Sequence, residues 1–201
     1  ATLPTLGEVD GFLLKNRSPS CGVRDAKVYP RLEPAPARGS GPGLFAAAAL
    51  AAHPEAAFED EGRLSNDTVR HHFLSRIFTT AAFRHEVARH PTMGALVRFQ
   101  SRHKYLLMSH SQKELRIMGR LVANGEQRPA AEVAVRYQEE LQRALQKTAR
   151  LPSTVNVLEH CYGYVRRDLS EGERRHFRRL LDHYRQRALP LSALLVLLQS
   201  W

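Results

Sequence analysis

From about residue 79 onward the sequence is punctuated by helix starts and stops, and no stretch there alternates with the period of two that marks a half-buried strand. Ser111-Gln112-Lys113-Glu114 and Ser170-Glu171-Gly172-Glu173 have the spacing of capping boxes, in which the Ser hydroxyl and the Glu carboxylate satisfy free N–H groups at a helix start. Asn124-Gly125 is a C-terminal stop, Pro91 closes one periodic segment, Pro129 and Pro190 open others, and Ser153 is placed to cap one more. The expected helices cover residues 79–90, 92–110, 112–124, 130–149, 154–167, 171–184 and 190–201. Val133, Val135, Tyr137, Leu141 and Leu145 form the expected inward face of the fourth, and the nearly all-apolar last helix is expected to be a buried staple. Short loops imply antiparallel neighbours, so residues 79–201 read as an all-α bundle of six to seven helices.

Residues 1–78 read differently. A short mixed lead-in at 1–10 precedes Gly11-Phe12-Leu13-Leu14, an apolar run that suits a buried strand. Ala26 to Tyr29 suits a second strand, residues 31–42 an exposed loop, and Ala57-Phe58 a strand edge entering a turn at Gly62. Between them, residues 43–53 form an Ala-rich helix with Leu44, Phe45 and Leu50 as its ridge, ended by Pro54. Asn66 or Asp67 then caps a helix through Val69, Phe73, Leu74, Ile77 and Phe78. Strands alternating with helices give an α/β domain. The chain starts without Met and close to a strand, so this unit is expected to be the C-terminal half of a larger one, an α/β remnant.

The net charge of +10 is unevenly placed. Residues 1–78 hold nine Lys/Arg and nine Asp/Glu, whereas residues 79–201 hold 21 and 11, so the whole excess lies in the helical part. Such asymmetry points to a polyanion, nucleic acid first; an Arg-rich solvated surface is the alternative. Two cysteines, Cys21 and Cys161, make no disulfide framework and suit a reducing cytosol. No secretory leader or membrane span is expected, because the longest apolar run, 189–198, is short and broken by Pro190.

Three groups of residues could carry chemistry. Ser18-Pro19-Ser20-Cys21-Gly22 ends the first strand and places a thiol beside two hydroxyls and near Lys15 and Arg17, a setting for sulfur or metal chemistry or for a buried structural cysteine. In the helix at 92–110, Arg98, Arg102 and Tyr105 share one face, with His103, Lys104 and His110 nearby. Together with Arg120 these are the candidate nucleic-acid contacts, cations for phosphates and an aromatic ring for a base; a solvated face is the alternative. A further basic group spans Arg166 to Arg187, with Glu171, Glu173 and Asp182 interleaved. The ten histidines form no metal-binding pair at helical spacing, and no glycine-rich phosphate loop or nucleophile elbow occurs.

The stretch from Gly11 through Gly22, with Lys27-Val28-Tyr29-Pro30 and Gly43-Leu44-Phe45, resembles the C-terminal half of the TudS family of thiouracil desulfidases. Arg98-Phe99, His103 through Ser111, Gly119 through Ala123, Asn156 through His160, Gly163-Tyr164 and Pro190-Leu191 resemble the YbgA-type domain of unknown function often fused to it. The resemblance implies an iron–sulfur enzyme that removes sulfur from thiolated uracil, 4-thiouridine in tRNA above all, with the helical domain binding the tRNA. It implies a 4Fe–4S cluster on three cysteines with one open iron; Cys21 matches the last ligand and Ser18 a serine that assists catalysis. Thiolates suit such a cluster, and an open iron is a soft Lewis acid for a thiocarbonyl sulfur. The other two ligands belong to an N-terminal half not contained in this sequence, so the chain alone is expected to hold no cluster and to be inactive. Two alternatives remain: a non-catalytic helical RNA-binding or protein-interaction module, and a separate enzymatic role for the helical domain through His103, His110 and His160.

Overall fold

A computed structural model describes residues 6–31 and 36–201. The start of the expected lead-in, residues 1–5, and part of the expected loop, residues 32–35, lie outside the described residues. Two compact units divide at His90/Pro91.

In the first unit, β1 (Gly11–Leu14) pairs in parallel with β4 (Ala57–Asp60), Gly11 opposite Ala57 and Leu14 opposite Asp60. Parallel partners need a crossover, and α1 (Leu44–Ala52) lies within it. Phe12, buried on β1, stacks on Phe58 at 4.8 Å and meets Phe45 edge to face, forming a small core with Ala49 and Ala56. Leu44, expected in the α1 ridge, is instead 85% exposed. A hairpin of β2 (Ala26–Val28) and β3 (Gly39–Gly41) occupies part of the expected loop. The Gly-Ser-Gly strand carries no apolar pattern and is held by backbone pairing alone.

The helix α2 (Asp67–Phe83) starts at an Asn66 cap whose Oδ1 accepts from the Thr68 and Val69 N–H groups. It runs through residue 79 and ends in a π-helical turn at Arg84–Ala88. The expected separate helix at 79–90 and the domain boundary at 78/79 are therefore corrected: no breaker stands there, and Thr79 is buried within α2. Pro91 marks the boundary instead.

The second unit contains, among the described residues, six α-helices: α3 (Met93–His110), α4 (Gln112–Ala123), α5 (Ala130–Leu145), α6 (Leu151–Val165), α7 (Glu171–Arg185) and α8 (Leu191–Gln199). The fold is thus a small α/β unit followed by an all-α bundle. Central to the bundle is α3, which packs on α4, α5 and α6. Leu96, Phe99, Leu107, Met118, Tyr137, Leu141 and Leu145 are fully or almost fully buried. Phe99 and Tyr137 meet edge to face at 5.9 Å, and the Tyr137 hydroxyl donates to Gln100 at 2.6 Å, so the one polar tip in that core is satisfied. A second cluster joins α6, α7 and α8 through Leu158, Tyr162, Phe177, Leu181 and Leu194, with Tyr162 stacked on Phe177 at 4.2 Å.

Several local expectations change. The capping box at Ser170/Glu173 is complete, whereas the Ser111 hydroxyl turns to the Glu114 carboxylate and makes no backbone cap. Helix α6 begins at Leu151 with Pro152 in its first turn, so Ser153 lies inside it and Arg150 is its N-cap. Val135 is 61% exposed rather than inward, and only Leu194 of α8 is fully buried, Val196 being 64% exposed. The terminal helix is therefore half-sunk rather than a buried staple.

Candidate functional site

At the C-terminal end of β1 the chain turns through residues 15–22, where open α/β sheets place their ligands. The Pro19 carbonyl accepts from the Leu44 N–H at 3.1 Å, and that of Ser20 from Phe45 at 2.9 Å and Ala46 at 3.1 Å. The loop thus satisfies the free N–H groups of the first turn of α1. Gly43 makes this approach possible, because a Cβ there would collide with the Pro19–Ser20 backbone. The Ser18 Oγ accepts from the Cys21 N–H at 3.0 Å and the Ser20 N–H at 3.3 Å, and the Ser18 carbonyl from Gly22 at 2.9 Å. Ser18 therefore fixes the turn that presents Cys21, a half-buried free thiol. Beside it, Lys15 pairs with Glu61 at 2.5 Å and holds that carboxyl below its usual range, helped by the Asn16 N–H.

This loop does not complete a cluster site. Among the described residues no group of three or more His, Cys, Asp or Glu could hold a metal ion. Cys161, the other free cysteine, belongs to the helical unit, and burial pushes its thiol up. Cys21 alone supplies one thiolate, fewer than an iron–sulfur cubane requires.

The second candidate region lies on α3 and α6. These helices run antiparallel: the Arg150 N–H donates to Ser109, Asn156 meets Met108, and Tyr105 meets both His160 and Tyr164. The hydroxyls of Tyr105 and Tyr164 lie 2.7 Å apart, and Lys104 Nζ sits 5.8 Å from the centre of the Tyr105 ring. The Tyr164 hydrogen bond, then burial, pushes the Tyr105 phenol up to about 12. Arg98, Arg102 and Lys104 are exposed on α3, a helix without a single carboxylate. Arg166 and Arg167 follow α6, and Arg175 and Arg178 are exposed on α7.

Charge pairing is uneven across the bundle. On and just before α5, Arg128 pairs with Glu126 and Glu132, Arg136 with Glu132, and Arg143 with Glu139 and Glu140. Arg185 pairs with Asp182 and Glu159, and Arg174 donates to the terminal carbonyls of Arg166 and Arg167. No carboxylate partners Arg98, Lys104, Arg166, Arg167, Arg175 or Arg178 among the described residues.

Two expected contacts have other duties. His110 is 4% exposed, and its Nδ1 lies 2.7 Å from the Lys147 carbonyl, so that nitrogen carries the proton and ties the end of α3 to the chain after α5. The His103 ring folds back on its own helix, 3.0 Å from the Phe99 carbonyl and stacked on the Phe99 ring at 4.0 Å. His110 is thus buried in the packing of the bundle, while His103 stays half-buried on α3. Arg120 is exposed in the last turn of α4. Sequence reasoning left Tyr164 and His160 out of the nucleic-acid set, although their spacing of four puts both on one face of α6.

Comparison with known proteins agrees with the helical part. Residues 104–201 match the model of a family described as "Protein of unknown function (DUF1722)". The chain is also 32% identical over 130 residues to the "Uncharacterized protein YbgA" of Escherichia coli (strain K12), covering 64% of this chain and 76% of that protein. The chain belongs to the DUF1722 family. No solved structure matches it. The DUF1722 match begins at Lys104 and includes Tyr105, His160, Tyr164 and all of α4 through α8.

Proposed function

We propose that the helical unit of this DUF1722 protein docks tRNA. The observation that carries the reading is the contrast in pairing: the cations around α5 are neutralised by carboxylates, while Arg98 and Lys104 stand on an acid-free α3. Unneutralised cations on an acid-free helix suit a phosphate backbone, which releases counterions on binding. The exposed Arg166, Arg167, Arg175 and Arg178 extend the same potential over α6 and α7.

The purpose of docking is the second half of the proposal. The turn bearing Ser18 and Cys21 supports a desulfidase acting on a thiolated uridine, 4-thiouridine in tRNA, with Cys21 as one ligand of an iron–sulfur cluster. The described residues do not fit that cluster by themselves, so no step through it is assigned to them. Ser18 would hold the backbone that presents Cys21, as it does here through its two accepted hydrogen bonds.

Binding of bulk tRNA to the chain across a salt series tests the docking half. Log affinity is expected to fall linearly with log salt, and the double variant Arg98→Ala/Lys104→Ala to flatten that slope by about one to two units. A flat slope in the unmodified chain, or no binding at low salt, rejects the reading.

A further inference from the structure

The tyrosine pair bridging α3 and α6 is not explained by packing. Tyr164 is 73% exposed, so its ring adds little to the core. Its position is nonetheless fixed, by a hydroxyl 2.7 Å from that of Tyr105 and by an edge-to-face meeting of the rings at 6.4 Å. The tether leaves much of an aromatic ring in solvent. His160, one turn earlier on α6, adds a third ring 6.2 Å from Tyr105.

Gly163 is an independent observation. It lies inside α6, where glycine is less favourable than alanine. A Cβ at this position would meet nothing within 4 Å. No atom of the chain therefore demands glycine here, in contrast to Gly43. Positions 160, 163 and 164 share one helix face, so bare backbone lies beside the exposed ring, and Arg167 stands in the turn just past the end of α6. An uncovered strip next to an aromatic ring leaves room for a flat ligand to approach closely.

We infer that Tyr164 and the bare backbone at Gly163 form a stacking platform for one unpaired base of a bound RNA. Tyr105 and His160 back the platform, while Lys104 and Arg167 meet the flanking phosphates. The inference rests on the tRNA-docking reading and narrows its ligand. A continuous duplex keeps its bases stacked inside and offers such a ring nothing, whereas a loop or a free end offers an exposed base face.

The test titrates the full chain with an RNA hairpin carrying a fluorescent adenine analogue in its loop, and with a blunt duplex of equal length. The unmodified chain is expected to bind the hairpin more tightly and to quench the analogue. Tyr164→Ala should weaken hairpin binding roughly five- to a hundred-fold, the range one stacked base supplies, abolish the quench and leave duplex binding unchanged. Tyr164→Phe keeps the ring and should keep the quench. Gly163→Ala should raise the thermal midpoint and yet weaken hairpin binding, a pair of opposite shifts that a merely structural glycine would not give. Thermal midpoints confirm that each variant folds. If the chain binds both RNAs and Tyr164→Ala changes neither hairpin affinity nor quench, the platform is overturned while RNA docking stands. If neither RNA binds at low salt, docking itself fails and the platform with it.

Discussion

At Tyr105 a single neighbour governs the acid–base behaviour of an otherwise ordinary phenol. The hydrogen bond it shares with the Tyr164 hydroxyl is the largest cause of its rise to about 12, followed by burial and by the charges that Tyr164 and Cys161 would carry if ionised. Because the folded value is raised, the neutral phenol stabilises the fold. That contribution is complete below the ordinary value of 10.0 and is lost as pH rises through about 12. Tyr164→Phe removes the hydroxyl partner and is expected to return Tyr105 toward 10.0, read from its ring-carbon signal in an NMR titration. A Tyr105 titration identical in both proteins would mean that the two hydroxyls do not meet in solution. The histidines teach a related lesson. A sequence shows where an imidazole sits on a helix, but not that His103 folds onto its own Phe99 carbonyl or that His110 is consumed by Lys147. The exposed cations Arg98, Arg102 and Arg120 were readable from helix spacing. The Tyr105–Tyr164 contact was not, because its partners are 59 residues apart on different helices.

Among the elements, two serine–glutamate pairs of identical spacing end in different geometry. The Ser170 hydroxyl accepts from the Glu173 N–H at 3.3 Å while the Glu173 carboxylate accepts from the Ser170 N–H at 2.8 Å. The Ser170 hydroxyl also donates to that carboxylate at 2.7 Å, and this bond, then the one from the Ser170 N–H, holds the Glu173 carboxyl below its usual range. At Ser111 the hydroxyl is spent on the Glu114 side chain and caps nothing. Ser170→Ala is accordingly expected to cost about 1 kcal/mol, the usual loss of an N-cap, measured as a lowered urea midpoint with unchanged slope. An unchanged midpoint would show that α7 does not depend on its cap. Helix starts of this kind were readable because proline and capping residues act locally: Pro129 and Pro190 stand immediately before α5 and α8, and Asn124 adopts the left-handed conformation that ends α4. Where the signal was tertiary the sequence was silent. The β3 pairing is backbone alone, the length of α2 depends on the burial of Thr79, and the exposure of Val135 and Val196 depends on which neighbours exist to cover them.

Across the whole molecule, core and charge are both unequally shared. The first unit buries Phe12, Phe73, Phe83 and Val87 with small residues such as Ala46, Ala49 and Ala57, a thinner core than that of the helical unit, and its parallel sheet has two strands of four residues among the described residues. Sheets this narrow are marginal on their own. The helical unit instead buries Leu96, Phe99, Leu107, Met118, Tyr137, Leu141, Leu158 and Phe177 almost completely, in helices whose hydrogen bonds are local. Local opening should therefore be easiest in the first unit. Hydrogen exchange on the intact chain is expected to show amides of β1 and β4 exchanging on the order of ten-fold faster, or more, than those of α3 and α6. The excess of positive charge lies wholly in residues 79–201, so added tRNA should slow exchange in α3 and α6 and leave β1 and β4 as they were. Equal protection in the two units would mean that the small parallel sheet is far better supported than its core suggests. Protection by tRNA confined to β1 and β4 would move the RNA-binding surface from the helices to the cysteine-bearing turn.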